Sequence, residues 1–413
     1  MRVLMLTQFY PPYIGGEERH VRNLSTKLAA RGHDVAVATL WNHGLREFED
    51  DQGVRVYRVR GTMQRIERLF SESARRHAPP FPDPELALAL QKVIRRERPQ
   101  IVHAHNWMTR SFVPLKAWSG ARLVLTVHDH SVVCPKKKLI YNDDPCSGPA
   151  RGKCLGCAST HYGKIKGLPV ALSNVVMSTA ERAAVDMFVP VSSAVGHDNG
   201  LLDGAVPARV IPNFVPDDIG ALPHPEGARP HPNLAQLPAG EFMLFVGAFG
   251  RYKGLDVLVR AYAELESAPP LVIIGYHTPE YPVRTVDFPP NVHVLRDWPH
   301  EAVMQAWQRC MFGLIPSIWS DPCPTVAMEA MSTGRALIAS RIGGLTDLVV
   351  DGETGLLVEP GDHRALAQAM RRLLDDRALC RRMGDAGRRH VVGFQASTVV
   401  QRIEDLYDEL LAR

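Results

Sequence analysis

Short runs of almost continuously apolar residues alternate with amphipathic stretches along this chain, and the pattern occurs twice. The runs of the first half are RVLMLT, DVAVATL, VRVYRV, IVHAH, RLVLTVHD and MFVPVSS. Those of the second half are FMLFVGA, PLVIIG, VHVLRD, FGLIPS and RALIAS. Helical patterns lie between them, among them EERHVRNLSTKLAARG, which ends at Gly32, GLDVLVRAYAEL and EAVMQAWQRC. A strand wetted on one face alternates polar and apolar residues. A strand apolar throughout must be covered on both faces, and intervening helices do this for a parallel sheet. No short repeat marks a solenoid.

The expectation is an α/β protein of two tandem Rossmann-like, doubly wound domains. Its 413 residues exceed one ordinary core. RVIPNFVP reads as the passage out of the first domain, and residues 217–240, dense in Pro and Gly, as linker or loop. The boundaries read as 1–210, 211–395, and a terminal helix over 396–413 that returns to the first domain. Ligands of such sheets bind beyond the carboxyl ends of the strands, so the cleft between the domains is the expected site.

A net charge of +4, from 48 basic and 44 acidic residues, argues against a nucleic-acid partner. No run reaches the roughly 18 apolar residues of a membrane span. MRVLMLTQFYPP is too short in its apolar part for a signal peptide and reads as a buried first strand. The expected location is cytoplasmic, where seven cysteines do not form a disulfide framework.

The segment SDPCPTVAMEA places Asp321 in a loop that Pro322 and Pro324 keep from being helical, and Glu329 about one turn inside the helix that follows. Pro324 suits the first turn, and the helix stops near Gly334. A helix amino end at the carboxyl end of a strand attracts anions. Two acids beside an anion site fit a ligand that carries both phosphates and hydroxyls, which is what a nucleotide sugar offers. Taken alone, the pair reads equally as a helix-start acid and a solvated loop acid. Arg251 and Lys253 follow strand FMLFVGA in a Gly-rich turn, placed to neutralise a diphosphate. Gly15 and Gly16 precede the first helix, and Gly343 and Gly344 follow RALIAS; each pair would let backbone approach a phosphate or sugar. His128 ends a strand and could bond a substrate hydroxyl. No G-x-G-x-x-G stands at residues 15–20 or 247–252, which counts against a nicotinamide enzyme.

Together, PPYIGGEERHV, VHAHNW, TVHD, VPVSS, VIPNF, FVGAFGRYKGLDVL, PSIWSDPCPTVAMEAMSTGRALIAS and GGLTDLVVDGETGLLV resemble family 4 glycosyltransferases of the GT-B fold. The resemblance implies a retaining enzyme that uses a nucleotide-sugar donor and needs no catalytic metal. It is strongest over residues 245–360, the donor-binding domain. In that family a Glu-x7-Glu pair holds the donor, the first acid on the sugar and the second on the ribose. Asp321 and Glu329 match the spacing, with Asp replacing the first Glu. Pro322, Cys323, Pro324 and Thr325 would complete the donor loop. Lys253 matches the family lysine, His128 the histidine that contacts the transferred sugar, and Gly16 the glycine near the diphosphate. Where the family often has Arg, Ala248 stands, and the arginine's role passes to Arg251. The implied reaction is a front-face displacement onto a hydroxyl of a glycan, glycolipid or small glycoside.

Cys134, Cys146, Cys154 and Cys157 follow C-x11-C-x7-C-x2-C in a loop rich in Gly, Pro and Asp. This suits a structural zinc; an iron–sulfur cluster or unligated redox thiols are the competing readings. Lys136, Lys137 and Lys138 beside it could attract an anionic acceptor or simply face solvent. Met63, Ile66, Leu69 and Phe70 fall at helical spacing, flanked by Arg65, Arg68, Arg75 and Arg76. That is either a helix packed on the first domain or a basic face for peripheral contact with an anionic membrane and a lipid-linked acceptor. The alternatives for function are a nucleotide-sugar epimerase of the same fold and a non-catalytic metal-sensing protein.

Overall fold

The computed structural model describes residues 1–13, 15–66, 77–142, 144–221, 230–276 and 288–413, without the side chain of Arg151. The chain forms two compact units: Met1–Pro212 with Val399–Arg413, and Asn213–Thr398.

The strands of the first unit are β1 (Arg2–Leu6), β2 (Asp34–Leu40), β3 (Phe48–Asp51), β4 (Val54–Val59), β5 (Ile101–Ala104), β6 (Arg122–Val127), β7 (Ile140–Tyr141), β8 (Asp144–Pro145) and β9 (Met187–Pro190). Seven of them make one sheet in the order β3-β4-β2-β1-β5-β6-β9. The centre is parallel, with Val3 beside Val35 on one side and Ile101 on the other. Val3, Leu4, Met5 and Leu6 are all buried, as a strand covered on both faces requires. The strand order departs in opposite directions from β1 and β5, which places a topological switch at their carboxyl ends.

Two features correct the sequence reading. Strand β3, FEDD, pairs antiparallel with β4 at the sheet edge. It is polar and half exposed, so a search for apolar runs passes over it; such edges are commonly charged. In addition, the cysteine segment is not all loop. Beyond the small hairpin β7–β8 it forms a helix, Arg151–Tyr162, packed against a longer one, Lys164–Ala184. A Cβ on Gly167 would lie 2.4 Å from Ser159 Cα, so the two helices approach closely there because position 167 has no side chain.

The helix Ala396–Ala412 joins the first unit from Val399 onward. Tyr407 OH hydrogen-bonds His103 Nδ1 on β5 at 2.6 Å, and Glu404 bonds His33 Nε2 at 2.7 Å and pairs with Arg31. Of the basic amphipathic stretch, Met63–Arg65 is a single 3-10 turn, and Ile66 is exposed. Arg68, Leu69, Phe70, Arg75 and Arg76 lie outside the described residues.

The second unit holds β10 (Met243–Val246), β11 (Leu271–Gly275), β12 (Val292–Arg296), β13 (Phe312–Ile315), β14 (Ala336–Ser340) and β15 (Gly355–Val358). Their order is β12-β11-β10-β13-β14-β15, parallel throughout the described pairings. The core under one face joins Phe245, Leu258, Leu271, Phe312, Ile338 and Met370. The order reverses between β10 and β13, so the loops after these two strands meet at the switch point. The Pro/Gly-rich segment belongs to this unit, where Asp217 Oδ1 accepts from Ser397 N at 3.0 Å.

Candidate functional site

At the switch point of the second unit, β10 leads through Gly247 and Ala248 into a 3-10 turn, Arg251–Lys253, and the helix Leu255–Ala263. The turn lies on the exit of β13. Ile318 N donates to Tyr252 O at 3.0 Å. Gly254 has φ +74°, and a Cβ there would fall 1.7 Å from Pro316 O. Only glycine fits both demands. This contact delivers Lys253 to Asp321, and Lys253 Nζ bonds Asp321 Oδ2. The pair is largely enclosed, with side chains 21% and 8% exposed, and Trp319 lies 5.6 Å from the ammonium. Burial opposes the Lys253 charge, but the Asp321 carboxylate outweighs it, and the lysine's pKa stands above its ordinary value.

Pro324 stands one position ahead of the helix Thr325–Ser332, where the sequence suggested the first turn itself. Glu329 is buried on it, and its Oε1 bonds His300 Nε2 at 2.9 Å, from the start of the helix His300–Arg309. Sequence reading missed His300; its signal was a ring-bearing residue directly after Pro299 at a helix start. Cys323 is buried, and its thiol is pushed up to about 12 by that burial, so it is inert packing. Pro322 and Thr325 are half-buried beside it, and Arg251 is exposed on the 3-10 turn.

Gly343 and Gly344 contact the loop that carries Asp321. Gly344 N donates to Asp321 O at 2.7 Å. Cβ atoms at the two positions would fall 2.5 Å from Asp321 O and 2.1 Å from Pro322 O. In this structure the pair supports the backbone that carries Asp321, where the sequence suggested a cradle for the donor.

In the first unit, Gly15 and Gly16 differ. A Cβ on Gly15 would strike the Glu18 carboxylate at 2.2 Å, whereas one on Gly16 would meet nothing within 4 Å. Gly16 therefore faces open space. Beside it, Glu17 accepts from Asn106 Nδ2 and, at 3.3 Å, from Thr7 Oγ1. Burial, with Glu18 adding, pushes the Glu17 carboxyl up to about 8. His128, just past β6, is backed by two buried histidines. Its Nε2 lies 3.1 Å from His105 Nδ1, and its ring is 4.9 Å from that of His20. Burial pushes His20 down to about 4, and burial together with the neighbouring imidazoles lowers His105 well below the ordinary value. Burial thus favours the uncharged imidazole at His20 and His105. Among the described residues His20, His105 and His128 are also the His, Cys, Asp or Glu group whose ligand atoms lie within 4.8 Å of one another. Of these groups, sequence reading found His128 only. HAH after β5, and E-x-x-H opening the first helix, were the signals for the rest.

Two family models match, in order along the chain: "Glycosyltransferase Family 4" over residues 14–219 and "Glycosyl transferases group 1" over residues 233–390. A glycogen synthase of Mycobacterium tuberculosis is 28% identical over 434 aligned positions, spanning 98% of this chain and 94% of the relative. A D-inositol 3-phosphate glycosyltransferase of Nocardia farcinica is 26% identical across 78% of this chain and 70% of its own length. Among solved structures, a sucrose-phosphate synthase from Thermosynechococcus elongatus superposes with a TM-score of 0.76 at 22% identity, over 99% of both chains. Anabaena HepE in complex with UDP-glucose gives 0.66 at 15% identity, over 98% of this chain and 99% of that one.

Proposed function

Since this chain belongs to the GT-B glycosyltransferases of the family 4 type, we propose that it is a retaining enzyme that moves a sugar from a nucleoside diphosphate donor to a hydroxyl acceptor by front-face displacement. One observation carries the reading: Lys253 and Asp321 are paired at the switch point of the second unit, with Glu329 about one turn into the helix that follows Asp321.

In this reading Glu329 accepts from the ribose diol, and His300 fixes its orientation. Asp321 turns one carboxylate oxygen to Lys253 and keeps the other for a hydroxyl of the sugar. Lys253, exposed Arg251 and the amino end of the helix Thr325–Ser332 oppose the charge that grows on the diphosphate. Backbone at Gly16 lets the diphosphate approach. The bond from the anomeric carbon to the phosphate oxygen breaks, and the acceptor oxygen bonds to the same face of that carbon. The acceptor's proton passes to the departing phosphate, and the nucleoside diphosphate leaves. His128, backed by His105 and His20, bonds a hydroxyl of the transferred sugar. The relatives are named as synthases and glycosyltransferases, which supports transfer over epimerisation or metal sensing.

A lipid-linked acceptor is a second reading with its own support. No helix among the described residues is long and apolar enough to cross a membrane. Yet the helix Lys164–Ala184 turns Ile165, Leu168, Leu172, Val175 and Val176 outward, Ile165 to 91% and Val175 to 69%. Exposed Lys164 and Lys166 border this apolar face. Such a face fits peripheral contact with an anionic membrane from the cytoplasmic side.

The deciding experiment is calorimetry of nucleoside diphosphates and nucleotide sugars against the wild type and Glu329→Ala. One donor that binds the wild type and fails on the variant supports the proposal. A folded wild type that binds none of them defeats it.

A further inference from the structure

Four cysteines border one small cavity after β6; no three of their sulfurs lie within 4.8 Å of one another, so an ion would draw them closer on binding. Cys134 sits in a turn, Cys146 just after β8, and Cys154 and Cys157 in the first two turns of the helix Arg151–Tyr162. All four are free and half-buried, and all four line one cavity of about 20 Å³. That is room for about one water-sized particle. Among the described residues no carboxylate and no imidazole lines it, so the donor set is sulfur alone.

Lys137 N donates to Cys134 O at 2.9 Å and Cys146 N to Leu139 O at 2.8 Å, which ties the first two cysteines to one turn. The turn achieves this with left-handed backbone at Lys137 and Leu139, neither of them glycine. Ala150 N donates to Cys154 Sγ at 3.3 Å. Lys136 and Lys153 line the same cavity. Four thiolates and one divalent ion leave a net charge of about −2, which these lysines offset. Little else holds the segment: between Val132 and Ala158, Leu139 is the buried hydrophobic side chain among the described residues. A soft, four-sulfur donor set around a cavity the size of one ion is the chemistry of tetrahedral zinc.

We propose that Cys134, Cys146, Cys154 and Cys157 bind one zinc ion, which clamps residues 129–163 and positions the end of β6. The link to β6 is short. Cys134 N and Val133 N both donate to His130 O, at 2.8 and 3.2 Å, and His130 N donates back to Lys137 O at 3.1 Å. Tyr162 OH closes the far side on Pro135 O at 2.8 Å. His130 is fully buried and paired with Asp198, so a shift of the cysteine turn reaches His128 and Asp129 directly.

The test is metal analysis of the full chain purified without added metal, followed by exchange into cobalt(II). The expected result is about one zinc per chain and, with cobalt, a sulfur-to-metal charge-transfer band with tetrahedral ligand-field bands. The double variant Cys154→Ser/Cys157→Ser should lose the metal, become open to proteolysis within 129–163, and keep its affinity for the nucleoside diphosphate. Should that variant not fold, titrating wild-type zinc off with a mercurial reagent must release the ion in step with modification of four thiols. Three results overturn the assignment: metal-free protein with four freely reactive thiols, disulfides in the intact mass, or zinc retained by the double variant. The last would place the ion elsewhere, with His20, His105 and His128 as its ligands.

Discussion

Lys253 and Asp321 form an ion pair although 68 positions separate them in the chain. Each sits on a loop leaving one of the two central strands of its sheet, and Gly254 presses one loop onto the other. Neither side chain can be changed without altering what the other offers a ligand.

Lys253→Ala is therefore expected to lower turnover by roughly 10²- to 10³-fold, the usual consequence of removing about 3–4 kcal/mol of transition-state stabilisation. Lys253→Ala/Asp321→Asn should be less damaging than the sum of the two single changes, because the second removes the buried carboxylate that the first strands. Single-turnover kinetics of the three variants would check this. Strict additivity would mean that the pair does not act together.

Glu329→Ala should weaken donor binding by about 10- to 100-fold, as expected for a lost hydrogen bond to a charged group. His300→Ala should cost less, since it orients the carboxylate and is not itself proposed to meet the donor. Calorimetry ranks the two; equal losses would make His300 a direct contact.

The two kinds of glycine separate structural from ligand effects. Gly16→Ala adds a methyl group to open space and should leave stability within about 0.5 kcal/mol, while activity falls about tenfold or more. Gly254→Ala should destabilise by more than about 1 kcal/mol, since its backbone is left-handed and its Cβ would meet Pro316 O. Thermal melts beside activity assays distinguish them.

Glu17 gives a pH signature. Its folded value of about 8 lies above the ordinary 4.5, so the folded chain keeps a proton the unfolded chain has lost. The group's contribution to stability is full below pH 4.5, declines as pH rises to about 8, and is constant above that. Glu17→Gln, which mimics the protonated acid, should flatten this part of the melting-temperature profile. An unchanged profile would show that the carboxyl titrates normally.

If the outward face of the helix Lys164–Ala184 meets lipid, wild-type protein should sediment with vesicles rich in anionic lipid, and Leu172→Glu/Val175→Glu should not. Sedimentation equal for both proteins would remove that face from the account.

Much of this arrangement could be read from the chain. Apolar runs revealed the parallel strands because burial on both faces leaves no room for alternation, and punctuation by Pro322, Pro324 and Gly334 placed Asp321 and Glu329 correctly around a helix start. What stayed hidden was partnership at a distance. Nothing local marks His300 as the neighbour of Glu329, or His105 as the neighbour of His128, because crossovers in the fold create both contacts. Strand β3 was hidden for the opposite reason: its polar sequence has no core to answer to. What Gly343 and Gly344 pack against could not be read from the chain, because a glycine pair reads alike whether backbone or ligand takes the space.

The helix that closes the first unit carries the last residues of the sequence: Tyr407 reaches His103, and Glu404 reaches Arg31 and His33. During synthesis, the half of the protein that leaves the ribosome first is thus the half that must wait. Its sheet can assemble early, but His103 keeps no phenol partner until the whole second unit has been translated. Domains made in sequence generally fold in sequence; here the final turns of helix are the latch, and a chain stalled shortly before them would leave an otherwise finished first unit open.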